Sequence, residues 1–443
     1  MKTTSNSALS IRGALIGTIM LAPIVISGKA MALPSMARQT GMACSACHIS
    51  SFGPSLTPYG RHFKLTGYTS GSNFSLPPVS AMALGGFTNT QSNQESPPAG
   101  YSANNNFALN QLSAFYGGRI WDKIGAFSQL TYDGVANTVG LDLTDIRYSD
   151  QTDIMDKDII FGVTANNAPT VGDIWNTTPV WGFPYATSPL APTPGAAAVI
   201  DGPLIATSGG GSVYAMIDNM LYVDAGAYTT LSTRMQQGLG VWANGHMGID
   251  GGAPYWRVAL QHQWGAHYAM IGSYGLQANV YPEGDASMGT DSYLDTAVDM
   301  TYQYLADMKH IFEIKSNFIN ERQGLNASKN LGLAANSSGS LNTFRINGAY
   351  TFEQTYQLTF GYNLISGSQD YTRYSNGYIN GSPNSEYYIV EADYVPFGKH
   401  DSPYQPWINL RIGLQYIAYS RFNGTTVNAQ NNNTLFLSGW LAF

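Results

Sequence analysis

From Val79 almost to its last residue, this chain alternates polar and apolar side chains in one tract after another, and that period of two constrains its fold more than any other feature. In YWRVALQHQW (255–264), Trp256, Val258, Leu260, His262 and Trp264 share one face, while Tyr255, Arg257, Gln261 and Gln263 share the other. In YLDTAVDMTYQY (293–304), Leu294, Val298, Met300, Tyr302 and Tyr304 point one way, with Asp295, Asp299 and Gln303 opposite. Successive side chains of an extended strand alternate between faces, so each tract reads as a strand with one apolar and one polar side. Sixteen such tracts are predicted: 79–90, 107–119, 123–134, 141–149, 157–165, 211–217, 219–230, 254–264, 267–280, 289–305, 309–320, 341–353, 355–367, 385–395, 405–421 and 433–443.

The intervals between tracts carry a second regularity. Those at 91–106, 166–210, 231–253, 321–340, 368–384 and 422–432 are long, and each follows an odd-numbered tract. Intervals after even-numbered tracts are short, as at Gly265 and Ala266 or at ADMK (306–309). Outer-membrane β-barrels have short periplasmic turns and long external loops. The parity therefore predicts an antiparallel barrel of about sixteen strands, spanning 79–443, with both chain ends on the periplasmic side. Trp and Tyr at tract ends suit interfacial girdles. The last tract, NTLFLSGWLAF (433–443), sets Leu435, Leu437, Leu441 and Phe443 on one face and ends in an aromatic residue, as closing strands of outer-membrane proteins commonly do.

Composition agrees with that class. Only 11% of residues are charged, against about 25% in soluble domains, and 48 Gly and 29 Tyr help to fill the shortfall. A secreted all-β protein is the competing reading. Residues 1–32 read as a cleaved export signal: Lys2 and Arg12 precede the apolar core ALIGTIMLAPIVIS (14–27), and AMA (30–32) fits a cleavage site. No later run of apolar residues is long enough for a transmembrane helix. The formal net charge is −7, and losing Lys2, Arg12 and Lys29 with the leader makes the mature chain more acidic, which argues against a nucleic-acid partner.

Between leader and barrel, the segment 33–78 holds the only two cysteines, in TGMACSACHI (40–49). Cys-x-x-Cys-His is the signature of covalent c-type haem attachment. Cys44 and Cys47 would take the vinyl groups of one haem c, and the adjacent His48 would bind its iron as proximal ligand. A redox dithiol, a zinc site and a structural disulfide are weaker readings. The first lacks a thioredoxin-like context, the second lacks further Cys or a suitable His set, and the third closes a very small ring. A segment this short needs help to build a core, so the porphyrin and the barrel wall are expected to supply it, with Phe63, Leu65 and Tyr68 packing on the ring. Arg61 and Lys64 are either partners for the haem propionates or ordinary surface charges. The distal ligand is left between His62, which would lower the iron potential, and Met82, which would raise it; Met36 and Met42 rank below both. His246, His262, His267, His310 and His400 read as structural.

A haem on the periplasmic side lies across an apolar band about 25 Å tall from any external donor. The expected route is therefore the lumen itself, open to a small dissolved donor unless loops or the N-terminal segment plug it. Asp295, Asp299, Glu313, Glu391 and Asp393 fall on polar faces, where they either guide a cation or pair with Arg257, Lys315, Arg345 and Arg411.

ARQTGMACSACH (37–48), LTPYGRHFKLTGY (56–68) and PPVSAM (77–82), followed by a barrel, resemble the fused monohaem cytochrome–porins of iron-oxidising bacteria. NNAPTVGDIWNTTPVWGFPY (166–185) is similar to the porin half of that family, so the likeness covers nearly the whole mature chain. The resemblance implies oxidation of extracellular Fe(II), with the electron passed to periplasmic cytochromes, and it carries over Cys44, Cys47 and His48. Two alternatives stand beside it: a haem-plugged diffusion porin, and electron transfer from another soluble donor such as a reduced sulfur compound.

Overall fold

A computed structural model describes residues 33–71, 78–242 and 246–443. The expected export signal at 1–32 and the stretches 72–77 and 243–245 lie outside the described residues.

The alternating tracts form strands β1 (Val79–Thr90), β2 (Asn106–Trp121), β3 (Ile124–Asp133), β4 (Thr138–Ile154), β5 (Lys157–Asn166), β6 (Ser208–Ile217) and β7 (Leu221–Thr230). After the two-residue β8 (Gly248–Ile249) come β9 (Ala253–Trp264), β10 (His267–Tyr281), β11 (Asp291–Tyr304), β12 (His310–Gly324) and β13 (Ser338–Phe352). The last four are β14 (Tyr356–Gly367), β15 (Ser385–Tyr394), β16 (Asn409–Arg421) and β17 (Thr434–Ala442). Consecutive long strands pair antiparallel, and β1 pairs with both β2 and β17, so the sheet closes on itself. The closing register sets Met82 opposite Ala442, and Phe443 extends it with a backbone N–H bond of 2.9 Å to Ala81 O. With β8 set aside as a side pairing on β10, sixteen strands make the ring, as the alternation predicts.

Outward residues are apolar and exposed, among them Val258, Leu260, Ile271, Val298, Phe360 and Leu437. Soluble monomers rarely expose apolar patches above a few hundred Å², so a belt running round the ring is a lipid-facing surface. Where β9 turns into β10, His262, Trp264 and His267 stack at ring separations of 5.7 and 5.6 Å, forming part of an aromatic girdle. This surface and girdle role is the structural one expected for these histidines. The long intervals leave the end opposite the chain termini. The interval 395–408 is a departure: it is long, carries Trp407, and sits at the termini end.

Inward residues are buried because the lumen is filled. Residues 33–71 enter from the termini end, and the interval 167–207 folds in from the other. Leu33, Phe52, Phe63 and Tyr68 of the first share one apolar cluster with Val171, Val180, Trp181 and Phe183 of the second and with Leu84, Phe127 and Trp440 of the wall. Polar stitches tie the fillings to the strands: Ser55 Oγ donates to Glu313 Oε1 at 2.6 Å, Tyr68 OH to Asp145 Oδ2 at 2.6 Å, and Trp175 Nε1 to Gln261 Oε1 at 2.9 Å.

A candidate cofactor chamber inside the barrel

Three short helices build the chamber. In α1 (Pro34–Thr40), a proline starts the first turn and Gly41, at φ 70°, ends the helix in the left-handed conformation that glycine adopts without strain. The single turn α2 (Cys44–Cys47) holds both thiols, and His48 follows at its C-terminus. Thr57 caps α3 (Pro58–Leu65) by accepting the Gly60 N–H at 3.2 Å. Gly60 is where α3 meets α2: a Cβ there would stand 2.3 Å from the Cys47 carbonyl oxygen, so no larger residue fits without displacement.

Between these helices and the wall lies a cavity of about 720 Å³, including its open mouth. Cys44, Cys47 and His48 form one side. Met36, Ala37 and Thr40 of α1 line it too, as do Phe63, Lys64 and Tyr68. Trp181 and Asn176 come from the interval 167–207, which carries the opposite end of the molecule down to the chamber wall. Burial pushes the Cys44 thiol up to about 11 and the Cys47 thiol to about 12, and lowers the His48 imidazole to about 4. The imidazole is therefore neutral, with Nδ1 buried and unpartnered. Lys64 Nζ sits 4.2 Å from the Trp181 ring centre and donates to Asp173 O at 2.6 Å and Asn176 Oδ1 at 2.9 Å. Burial, then the Arg147 charge, lowers this ammonium to about 7.

These residues fit a haem. Two thiols at the attachment spacing and a neutral imidazole with an orphan nitrogen share one mainly apolar cavity. The buried Lys64 would offset propionate charge. Phe63 and Tyr68 are on the walls, whereas Leu65 packs with Trp175 elsewhere.

Other expected partners are not brought to the chamber. Arg61 turns away, donating to Leu56 O at 2.8 Å and Gln303 Oε1 at 2.7 Å with its guanidinium over Tyr268. His62 is exposed on the far side of α3. Met82 is buried in the wall, where its sulfur accepts the Trp440 indole N–H at 3.2 Å. Alternation explains that placement: even-numbered positions at the start of β1 face inward, but Met82 points at β17 and the filling beside it. Met36 and Met42, ranked lower on sequence distance, do line the cavity. Trp181 and Asn176 lie in NNAPTVGDIWNTTPVWGFPY (166–185), which carries no local motif that marks them.

Among the described residues, the carboxylates expected to line the lumen are buried. Asp295, Asp299, Glu313, Glu391 and Asp393 are each at most 5% exposed. Arg257 bonds Asp299 at 2.6 Å and lies 3.4 Å from Asp173; Arg411 holds Glu391 at 2.8 Å and Asp393 at 2.7 Å; Lys315 lies 3.5 Å from Glu313. Arg345 pairs instead with Asp201 of the folded-in interval, at 3.2 Å through Nη1, and Asp295 accepts the Ile200 N–H at 2.8 Å. Asp299, Glu313, Glu391 and Asp393 thus have cationic partners, and Asp295 accepts a backbone N–H instead.

No protein-family model and no curated protein matches the chain. Solved outer-membrane proteins resemble it at low identity. A loop-deleted OmpT of Vibrio cholerae is 7% identical with a TM-score of 0.44, covering 82% of this chain and 98% of its own. The channel DcaP of Acinetobacter baumannii is 10% identical at 0.45, over 82% and 96%. An anion-selective porin from Comamonas acidovorans is 9% identical at 0.45, over 82% and 98%.

Proposed function

We propose that this protein is an outer-membrane electron-transfer cytochrome, in which one haem c held by Cys44, Cys47 and His48 takes an electron from extracellular Fe(II) and yields it to a periplasmic c-type cytochrome or other soluble carrier. The observation that carries the reading is the convergence of both thiols and the neutral imidazole on one apolar chamber within a closed barrel. A haem bound there would supply a one-electron couple between the two aqueous faces. The chain itself positions and insulates: α2 presents the attachment groups, Lys64 supplies compensating charge, and the interval 167–207 joins the outer rim to the chamber wall through packed protein. Fe(II) as substrate rests on the likeness to cytochrome–porins.

The test is the visible spectrum of purified, haem-loaded protein under anaerobic conditions before and after adding Fe(II). Appearance of the reduced bands supports iron oxidation. No reduction at any pH where transfer is downhill overturns it, and reduction by thiosulfate or sulfide alone would assign a reduced sulfur donor. The filled lumen weighs against the diffusion porin, which would be favoured by solute flux that depends on haem oxidation state.

A further inference from the structure

The cavity limits which side chains can reach an iron held by His48 from the opposite face. We propose that Met36 is the sixth ligand, an inference that rests on the haem reading above. Four residues lining the chamber carry a group able to ligate iron there besides His48: Met36, Met42, Lys64 and Tyr68. Lys64 Nζ is committed to Asp173 O and Asn176 Oδ1, and Tyr68 OH to Asp145. Met42 is 42% exposed at the mouth, its carbonyl accepting from Gln405. Only Ala43 separates it from Cys44. Thioether bonds fix the haem edge at Cys44 and Cys47, so a residue that near in the chain lies beside the edge instead of beyond the opposite face.

Met36 meets each requirement. It belongs to a separate helix, α1, whose Met36, Ala37 and Thr40, with Leu33 at the N-cap, line the cavity. Its methyl end abuts β2, where a Cβ on Gly117 would be 3.3 Å from it, so the side chain is braced between wall and chamber. It is partly buried and packs against the buried apolar cluster. A thioether ligand in such surroundings raises the iron potential relative to a second imidazole, which suits acceptance of electrons from Fe(II).

The test uses the full-length, haem-loaded chain and reads near-infrared absorption of the oxidised form, where a methionine-to-iron charge-transfer band appears. The band should be present in the native protein and in Met42→Leu and Met82→Leu, and absent in Met36→Leu. Met36→His should lack the band, keep a six-coordinate low-spin spectrum and show a lower midpoint potential. Survival of the band in Met36→Leu, or its absence from a native protein that stains for covalent haem, overturns the assignment. A native protein that does not stain at all overturns the cofactor reading beneath it, so the two failures are told apart on the same samples.

Discussion

At the scale of single residues, the chamber depends on a few atoms that allow little substitution. Cys44→Ala or Cys47→Ala should each leave barrel assembly intact, because neither thiol contributes to a strand. Covalent haem staining on a denaturing gel should fall sharply in the single variants and vanish in the double variant. Full staining of the double variant would exclude attachment at this motif. Gly60 tests the same chamber through backbone packing. Since a Cβ would sit 2.3 Å from the Cys47 carbonyl oxygen, Gly60→Ala must push α3 away from α2, and overpacking of this kind costs about 1–3 kcal/mol. The expected outcome is reduced haem incorporation with normal barrel heat-modifiability on gels; unchanged haem content would show that the two helices separate freely.

At the scale of elements, the interval 167–207 does what neither neighbouring strand can do. Asp173 anchors it: burial alone would raise this carboxyl, but Arg257 and then Lys64 overcome that and hold it at about 2. Removing one partner from a buried ion pair typically costs about 3–5 kcal/mol, because the other charge is left without compensation. Arg257→Met leaves Asp299 without its ion partner and Asp173 with Lys64 alone, so it should loosen the interval from the wall. Single-channel recording in planar bilayers should then show ion conductance well above that of the native chain, and the thermal transition of the detergent-solubilised protein should fall. Equal conductance would mean that the plug is held by its apolar contacts alone. These contacts also explain what the sequence makes legible. The strands could be read because lipid on one side and protein on the other impose a two-residue period, and only the C-terminal ends of β4 and β12 and the start of β16 shifted by more than about three residues. Nothing periodic marks Asp173, Asn176 or Trp181, since an irregular segment satisfies its backbone through side chains such as the Asp173 carboxylate, which accepts the Trp175, Thr177 and Thr178 N–H groups. The Cys-x-x-Cys-His motif was legible because it is local to five positions. That Met36 lines the chamber and Met82 does not was not legible, because it depends on which helix face crosses the chamber.

At the scale of the whole molecule, the filled lumen changes how an external donor can be oxidised. A sixteen-stranded ring is wide enough for an aqueous channel, and a donor free to descend it would meet the haem directly. Here the inward carboxylates are buried, and apolar clusters occupy the space between outer rim and chamber. Under the proposed function, the electron and not the donor would cross the interior. Its rate would then be set by driving force and by the packed path through the interval 167–207, with little dependence on donor bulk. This is tested in vesicles carrying the haem-loaded protein in the outward orientation, by comparing a small Fe(II) chelate with the same chelate coupled to a large soluble polymer. Stopped-flow absorbance should show haem reduction by both, with rates agreeing within a few-fold once potentials are matched. If only the small chelate reduces the haem, the interval 167–207 must withdraw in the membrane and admit the donor. Arg257→Met should sharpen the contrast, since loosening the plug gives the small chelate a direct path and leaves the polymer-bound one outside.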